Sequence, residues 1–258
     1  MSMERHRGER KPPVPPISGG VPADRKSPLP ASTPAKPYSA IIYPSRQMSK
    51  GRILKMPDEN REGLNMDKLS FGFNLPWNPE HTETLFDLEK FEDMDVDKVR
   101  IYTHALVLDV DGTLVEHHGN VFQPAVVEKL REIRAKMKVC VFSNNDQERE
   151  IFGQLAIPVV KNATPKPSPM GFDRAARHYL QMNPDQCTMV GDNLLTDGGA
   201  KQVGMHLILV DPIPGKEGIM HRLTRSYGRM MKDFHDKLFG AEKRKPRAQI
   251  YKNLPPKR

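Results

Sequence analysis

The chain has 258 residues, 24 of them proline, and a formal net charge of +8, which suits one compact domain with unstructured ends better than two full domains. No run approaches the roughly 20 apolar residues needed to cross a bilayer, and the amino terminus carries no apolar stretch of the secretory kind, so neither a membrane-spanning nor a secreted protein is expected. A cytoplasmic protein is expected, soluble or attached to a membrane only at its surface.

The charge is unevenly spread. Residues 1–55 hold eleven Lys or Arg against three acids (+8) and residues 241–258 hold seven against one (+6), which leaves −6 for the middle. Residues 1–60 are Pro, Ser, Gly and Arg without a sustained period, as in "RKPPVPPISGGVPADRKSPLP", and are expected to be a disordered basic tail, because they cannot bury enough apolar area to offset ordering. Basic composition alone specifies no partner, so nucleic acid is not the expected ligand. Residues 61–104 contain Phe71, Phe73, Leu75, Trp77, Leu85, Leu88 and Phe91 and read as a segment that docks on a core.

From Ala105 to about residue 240 a regular alternation follows. "ALVLDV" (105–110) is a continuous branched apolar run, as in a strand covered on both faces. A helix is predicted over 124–137, from Val126, Val127, Leu130 and Ile133 at helical spacing. Then come a strand at 138–143, a helix over 147–155, a strand at 157–160, and a helix over 170–181 that Ser168 or Pro169 could begin. Strands at 187–192 and 206–211 flank a short helix near 197–203, and a basic helix over about 218–239 closes the folded part before a second basic tail at 241–258. Five strands alternating with helices predict an α/β, doubly wound parallel five-stranded sheet, with its site beyond the carboxyl ends of the strands. Cys140 and Cys187 lie inside apolar runs and read as reduced, buried thiols.

The polar exceptions fall at those strand ends: "DVDGT" after the first strand, "SNN" after the second, "TPKP" after the third and "GDNLLTD" after the fourth. In order, they supply the parts of phosphate monoester hydrolysis. Asp109 can attack in line to form an aspartyl-phosphate. Asp111 can protonate the leaving group and later activate water. Gly112 and Thr113 turn the chain away and aim amides at the phosphate, Ser143 and Asn144 can donate to its oxygens, and Lys166 offers a compact positive charge. Asp192 with the Asp109 carboxylate and the Val110 carbonyl makes an oxygen-only site suited to Mg²⁺, with Asp197 acting through a water. His117 and His118 have no third partner at metal-ligand spacing and read as surface residues.

"LVLDVDGTLV", "VFSNN", "TPKP" and "VGDNLLTD" resemble the four ordered motifs of the haloacid dehalogenase superfamily. The continuation "GAKQVGMHLILVDPI" with its basic helix resembles the YqeG-type, class IIIA branch, which includes mitochondrial phosphatidylglycerophosphate phosphatases. The resemblance implies a HAD-like Rossmannoid core, an Asp109 nucleophile, an Asp111 acid/base, phosphate contacts from Ser143 and Lys166, and Mg²⁺ at Asp109, Val110 and Asp192. The gaps after the first and second motifs leave no room for a large cap domain. An open site suits a phosphate displayed on something large, such as a lipid headgroup met by peripheral membrane contact, and the branch favours phosphatidylglycerophosphate. Two other readings are a phosphatase of a soluble nucleotide or sugar phosphate and, from another class, an inactive RNA- or ribosome-binding module.

Overall fold

The computed structural model describes residues 66–240 except Asp146, Glu148 and Lys216. The two tails expected at 1–60 and 241–258 lie outside the described residues. The elements in chain order are α1 (Met66–Asn74), β1 (Phe86–Leu88), α2 (Val96–Val99), β2 (Ala105–Leu108), α3 (Pro124–Lys136), β3 (Lys138–Val141), α4 (Glu150–Gln154), α5 (Pro169–Arg174), β4 (Cys187–Gly191), α6 (Leu194–Asp197), β5 (His206–Val210) and α7 (Ile219–Phe239). No helix among them is long and apolar enough to cross a membrane.

The five strands form one sheet in the order β1-β5-β4-β2-β3, and every pairing is parallel. The strands are apolar throughout because both faces are covered. Leu106, Leu108, Val139, Val141, Ile208 and Val210 point into a core with α3's Val126, Leu130 and Ile133. Ala105, Val107, Cys140, Leu207 and Leu209 point the other way, against Phe71, Leu75, Phe172 and Leu194. Both thiols are free and buried. Burial pushes Cys187 up to about 12 and Cys140 up as well, so neither is a nucleophile at neutral pH.

The count of five strands matches the expectation, but the membership differs. Ile157–Val160 is not a strand: Val159 makes one bridge to Val141, through Pro158 O accepting from Val141 N (2.9 Å) and Val160 N donating to Val141 O (2.8 Å). Pro158 has no N–H with which to extend a ladder. The fifth strand is β1, from the stretch expected only to dock, held beside β5 by Leu85 N to Leu207 O (2.7 Å) and Asp211 N to Leu88 O (2.8 Å). The predicted helix over 170–181 is α5 followed by a π-helical segment, Ala175–Leu180, which ends where Gln181 takes φ 53°. The helix near 197–203 is α6 with a 3-10 continuation, Gly198–Val203.

From β2 the chain goes to one side, to β3, and then crosses back to β4 on the other side of β2. The strand order reverses between β2 and β4, the place where open α/β sheets leave a crevice at their carboxyl ends. Leu108 is in register with Val190, so the residues just past them, Asp109 and Asp192, meet at that crevice.

Candidate active site

Asp109 leaves β2 with its amide donating to Val190 O at 2.9 Å, which fixes the carboxylate at the switch point. Its Oδ1 is 2.7 Å from Lys166 Nζ, and the same ammonium is 2.6 Å from Asp197 Oδ1. Asp109, Asp192 and Asp197 are all buried, with one oxygen from each lying within 4.8 Å of the others. Burial pushes the Asp109 carboxyl well above the carboxylate range, with Lys166 pulling it back and Asp197 and Asp192 adding to the rise. Burial also raises Asp192, against the pull of Arg225. The three carboxyl groups crowd one another, so a cation bound among them would favour the ionised forms of Asp109 and Asp192.

Two glycines make this convergence possible. Gly112 has φ +83°, and a Cβ there would lie 2.7 Å from Asp192 Oδ2. A Cβ on Gly191 would lie 2.1 Å from Asp197 Oδ2, so only a hydrogen fits beside that carboxylate. Thr113 Oγ1 reaches Asp192 Oδ1 at 3.4 Å. The Val110 carbonyl, expected to bind metal, accepts the amides of Thr113 (3.2 Å), Leu114 (2.9 Å) and Val115 (3.2 Å) and is engaged in closing the turn.

Asp111 divides its two oxygens. Oδ1 accepts from Arg149 Nη2 (2.8 Å) and from His118 N (3.1 Å), whereas Oδ2 has, among the described residues, only Ser143 Oγ, at 3.5 Å. Ser143 Oγ also accepts from Asn145 N at 3.1 Å. Asn144 spends both ends of its amide on the backbone of Lys166, accepting from its N–H (2.7 Å) and donating to its carbonyl (3.1 Å), and so positions the lysine. The residues brought to one cleft include Asp109, Asp111, Ser143, Asn144, Lys166 and Asp192. Val110, Gly112 and Thr113 form the turn beside it, and Asp197 lies behind Lys166.

The sequence reading missed four contributors. Arg149 was placed inside a helix, but α4 begins one residue later, and Arg149's extended backbone (φ −126°, ψ 117°) lets its buried guanidinium reach Asp111 and Gly119 O. Arg225 belongs to the basic last helix, where charge alone gives it no inward role. Yet it is buried, pairs with Asp192, and is held by Glu217 at 2.6 and 2.7 Å. Lys68 of α1 and His221 of α7 also line the cleft. His117, read as a surface residue, is half-buried in the same cleft, with its ring centroid 4.3 Å from those of both His118 and His221. Burial, with His117 and Lys68 beside it, takes His221 down to about 4, so it is neutral at pH 7. The only sequence signal for Arg225 is helical phase, which puts it with Gly228 and His235 on the inward side.

With Asp111 in the acid/base role expected of it, Arg149 would act through it as a positioning residue. Arg149→Met is expected to lower kcat by about 10- to 100-fold, within the range of a weakened acid/base, and to move the pH–rate profile. Arg149→Lys should recover part of the rate. An unchanged pH profile in Arg149→Met would show that the contact does no more than hold the loop.

A family model described as "HAD-hyrolase-like" matches residues 163–212. "Probable phosphatase YqeG" of Bacillus subtilis (strain 168) is 34% identical over 128 residues, covering 48% of this chain and 73% of that protein. Among solved structures, the cobalt-bound deoxy-D-mannose-octulosonate 8-phosphate phosphatase of Haemophilus influenzae is similar over 54% of this chain and 91% of its own, at 16% identity and TM-score 0.34. The 3-deoxy-D-manno-octulosonate 8-phosphate phosphatase of Yersinia pestis is similar over 57% and 90%, at 18% identity and TM-score 0.33.

Proposed function

The chain belongs to the haloacid dehalogenase superfamily as a YqeG-type phosphatase, and on that premise we propose that it hydrolyses a phosphate monoester through an aspartyl-phosphate on Asp109. The observation that carries this reading is the meeting of Asp109, Asp192, Asp197 and Lys166 at the switch point of the sheet. Lys166 balances charge on Asp109 and stands ready for a phosphoryl oxygen. Asp109 Oδ2, the oxygen away from the ammonium, attacks phosphorus. Asp111 Oδ2, the oxygen not taken by Arg149, is the proton donor to the leaving alkoxide and then the base that draws a proton from the attacking water.

Asp109, Asp192 and Asp197 offer only carboxylate oxygens, a donor set that fits Mg²⁺ and not a soft metal. When bound there, Mg²⁺ would neutralise the charge of the phosphoryl oxygens. Arg225 Nη2 contacts Asp192 Oδ2, so a cation bound here would share that carboxylate with the arginine.

The substrate side follows from openness. The chain from β2 to β3 holds one turn, a loop and α3, so among the described residues no cap is inserted there, which favours a phosphate carried on a large body. The substrate we propose is a lipid phosphate, with phosphatidylglycerophosphate as the candidate. Release of phosphate from p-nitrophenyl phosphate is expected with Mg²⁺, with loss to background in EDTA and return on adding Mg²⁺ back. Full activity in EDTA would rule out the metal. If nucleotide monophosphates are cleaved far faster than phosphatidylglycerophosphate, the soluble-substrate reading replaces the lipid one.

A further inference from the structure

Three of the basic residues that the sequence spreads along the last helix are turned to acidic or carbonyl partners. Arg225 is turned into the site, Arg229 reaches Val210 O (3.2 Å) and pairs with Asp211, and Lys232 lies 2.7 Å from Asp87 and 2.6 Å from Asp236. Beside the exposed Arg222, Ser226, Asp233 and Lys237, α7 turns an apolar row outward. Ile219 is 71% exposed, Leu223 58%, Met230 54% and Phe234 50%. Their spacing of four and seven residues aligns them in one stripe.

α1 lies alongside. The Tyr227 hydroxyl donates to Gly72 O at 3.0 Å, and His235 Nε2 lies 3.3 Å from Pro76 O, so α1 and the turn after it are tied to α7 at two levels. This neighbouring stretch adds Phe73, 74% exposed, and Trp77, 81% exposed. Scattered apolar side chains are ordinary on a surface, whereas aligned ones on two joined helices mark a contact surface. The same two helices supply Lys68 and His221 to the cleft from their other sides.

Charge decides what covers this face. α1 follows directly on residues 1–65, with twelve Lys or Arg against six acids, and α7 leads directly into residues 241–258, with seven against one. Each segment carries +6, so two copies of the chain meeting here would bring cation against cation. A bilayer bearing anionic lipid offers the opposite: an apolar interior for the stripe and negative headgroups for the two basic segments joined to it. We infer that the face formed by α1 and α7 seats on an anionic membrane surface and so holds the protein at a lipid layer. The inference deepens the lipid-phosphate reading and rests on it for the purpose of that attachment.

The test uses the full chain with vesicles of phosphatidylcholine alone or of phosphatidylcholine and phosphatidylglycerol in equal parts. Trp77 is the only tryptophan, so its emission reports whether this face enters the bilayer. Binding to the mixed vesicles at low salt, with a blue shift of that emission, is expected. Leu223→Asp with Phe234→Asp should lower the partition coefficient by more than about tenfold, with the fold checked by circular dichroism. The inference is overturned by unshifted Trp77 emission, by equal binding of the double variant, or by a wild-type dimer that the double variant dissolves. Hydrolysis of p-nitrophenyl phosphate by the wild type without vesicles tests the phosphatase reading separately. Hydrolysis without vesicle binding overturns the membrane face alone; binding with a blue shift but no hydrolysis supports the face and overturns the proposed activity.

Discussion

Asp109→Asn is expected to reduce turnover by about 10⁴-fold or more, as for loss of a nucleophile, while the protein stays folded. The carboxylate is proposed both to attack phosphorus and to hold the metal, so no neighbouring group can replace it. The fold should survive because the amide keeps the shape of the side chain and relieves the crowding of three buried carboxylates, and Lys166 retains Asp197 at 2.6 Å. Phosphate-release assays and a thermal melt on the same sample separate the two effects. Borohydride reduction should trap an aspartyl-phosphate in the wild type and none in the variant. More than a trace of activity in Asp109→Asn would sink the covalent mechanism.

Lys166→Met should be the most destabilising of the site substitutions. The lysine is 2% exposed, and although burial alone would lower its pKa, Asp109 and Asp197 hold it above the ordinary lysine value, so it is charged in the folded protein. Methionine fills nearly the same volume but leaves Asp109 and Asp197 without their counter-ion. Removing one partner of a buried pair costs about 3–5 kcal/mol, here offset in part by protonation of a carboxylate. For a domain of this size that corresponds to a fall in Tm of roughly 10 °C. Saturating Mg²⁺, proposed to bind only the folded site, should recover part of the loss, and Lys166→Arg should be milder. Equal denaturation midpoints for Lys166→Met and wild type, with and without Mg²⁺, would mean that the lysine does not balance these carboxylates.

How far the sequence reaches depends on which signals are local. β2, β3, β4 and β5 are visible because strands buried on both faces must be apolar at every position, and Asp109, Ser143 and Asp192 stand out because each breaks such a run at its carboxyl end. β1 is only Phe86–Leu88, too short for a period, and it becomes a strand because β5 offers it a free edge. Ile157–Val160 has the apolar content of a strand but only one bridge, since Pro158 cannot donate.

The sequence by itself determined four of the five strands, the helices between them, the parallel sheet, and the acidic, serine and lysine positions expected of a phosphatase of this superfamily, because all of these are written in runs of a few adjacent residues. Only the tertiary structure decided which cations complete the site and which face of the last helix looks outward. Arg149 reaches Asp111 across 38 residues of chain, and Arg225 reaches Asp192 from α7. Such pairings are set by the winding of the sheet and the rotation of a helix about its axis. A basic residue on an amphipathic helix reads the same in sequence whether it meets water or a buried carboxylate. Packing resolves the ambiguity, because a buried Asp192 is costly without a counter-charge and Arg225 lies on the inward face beside it.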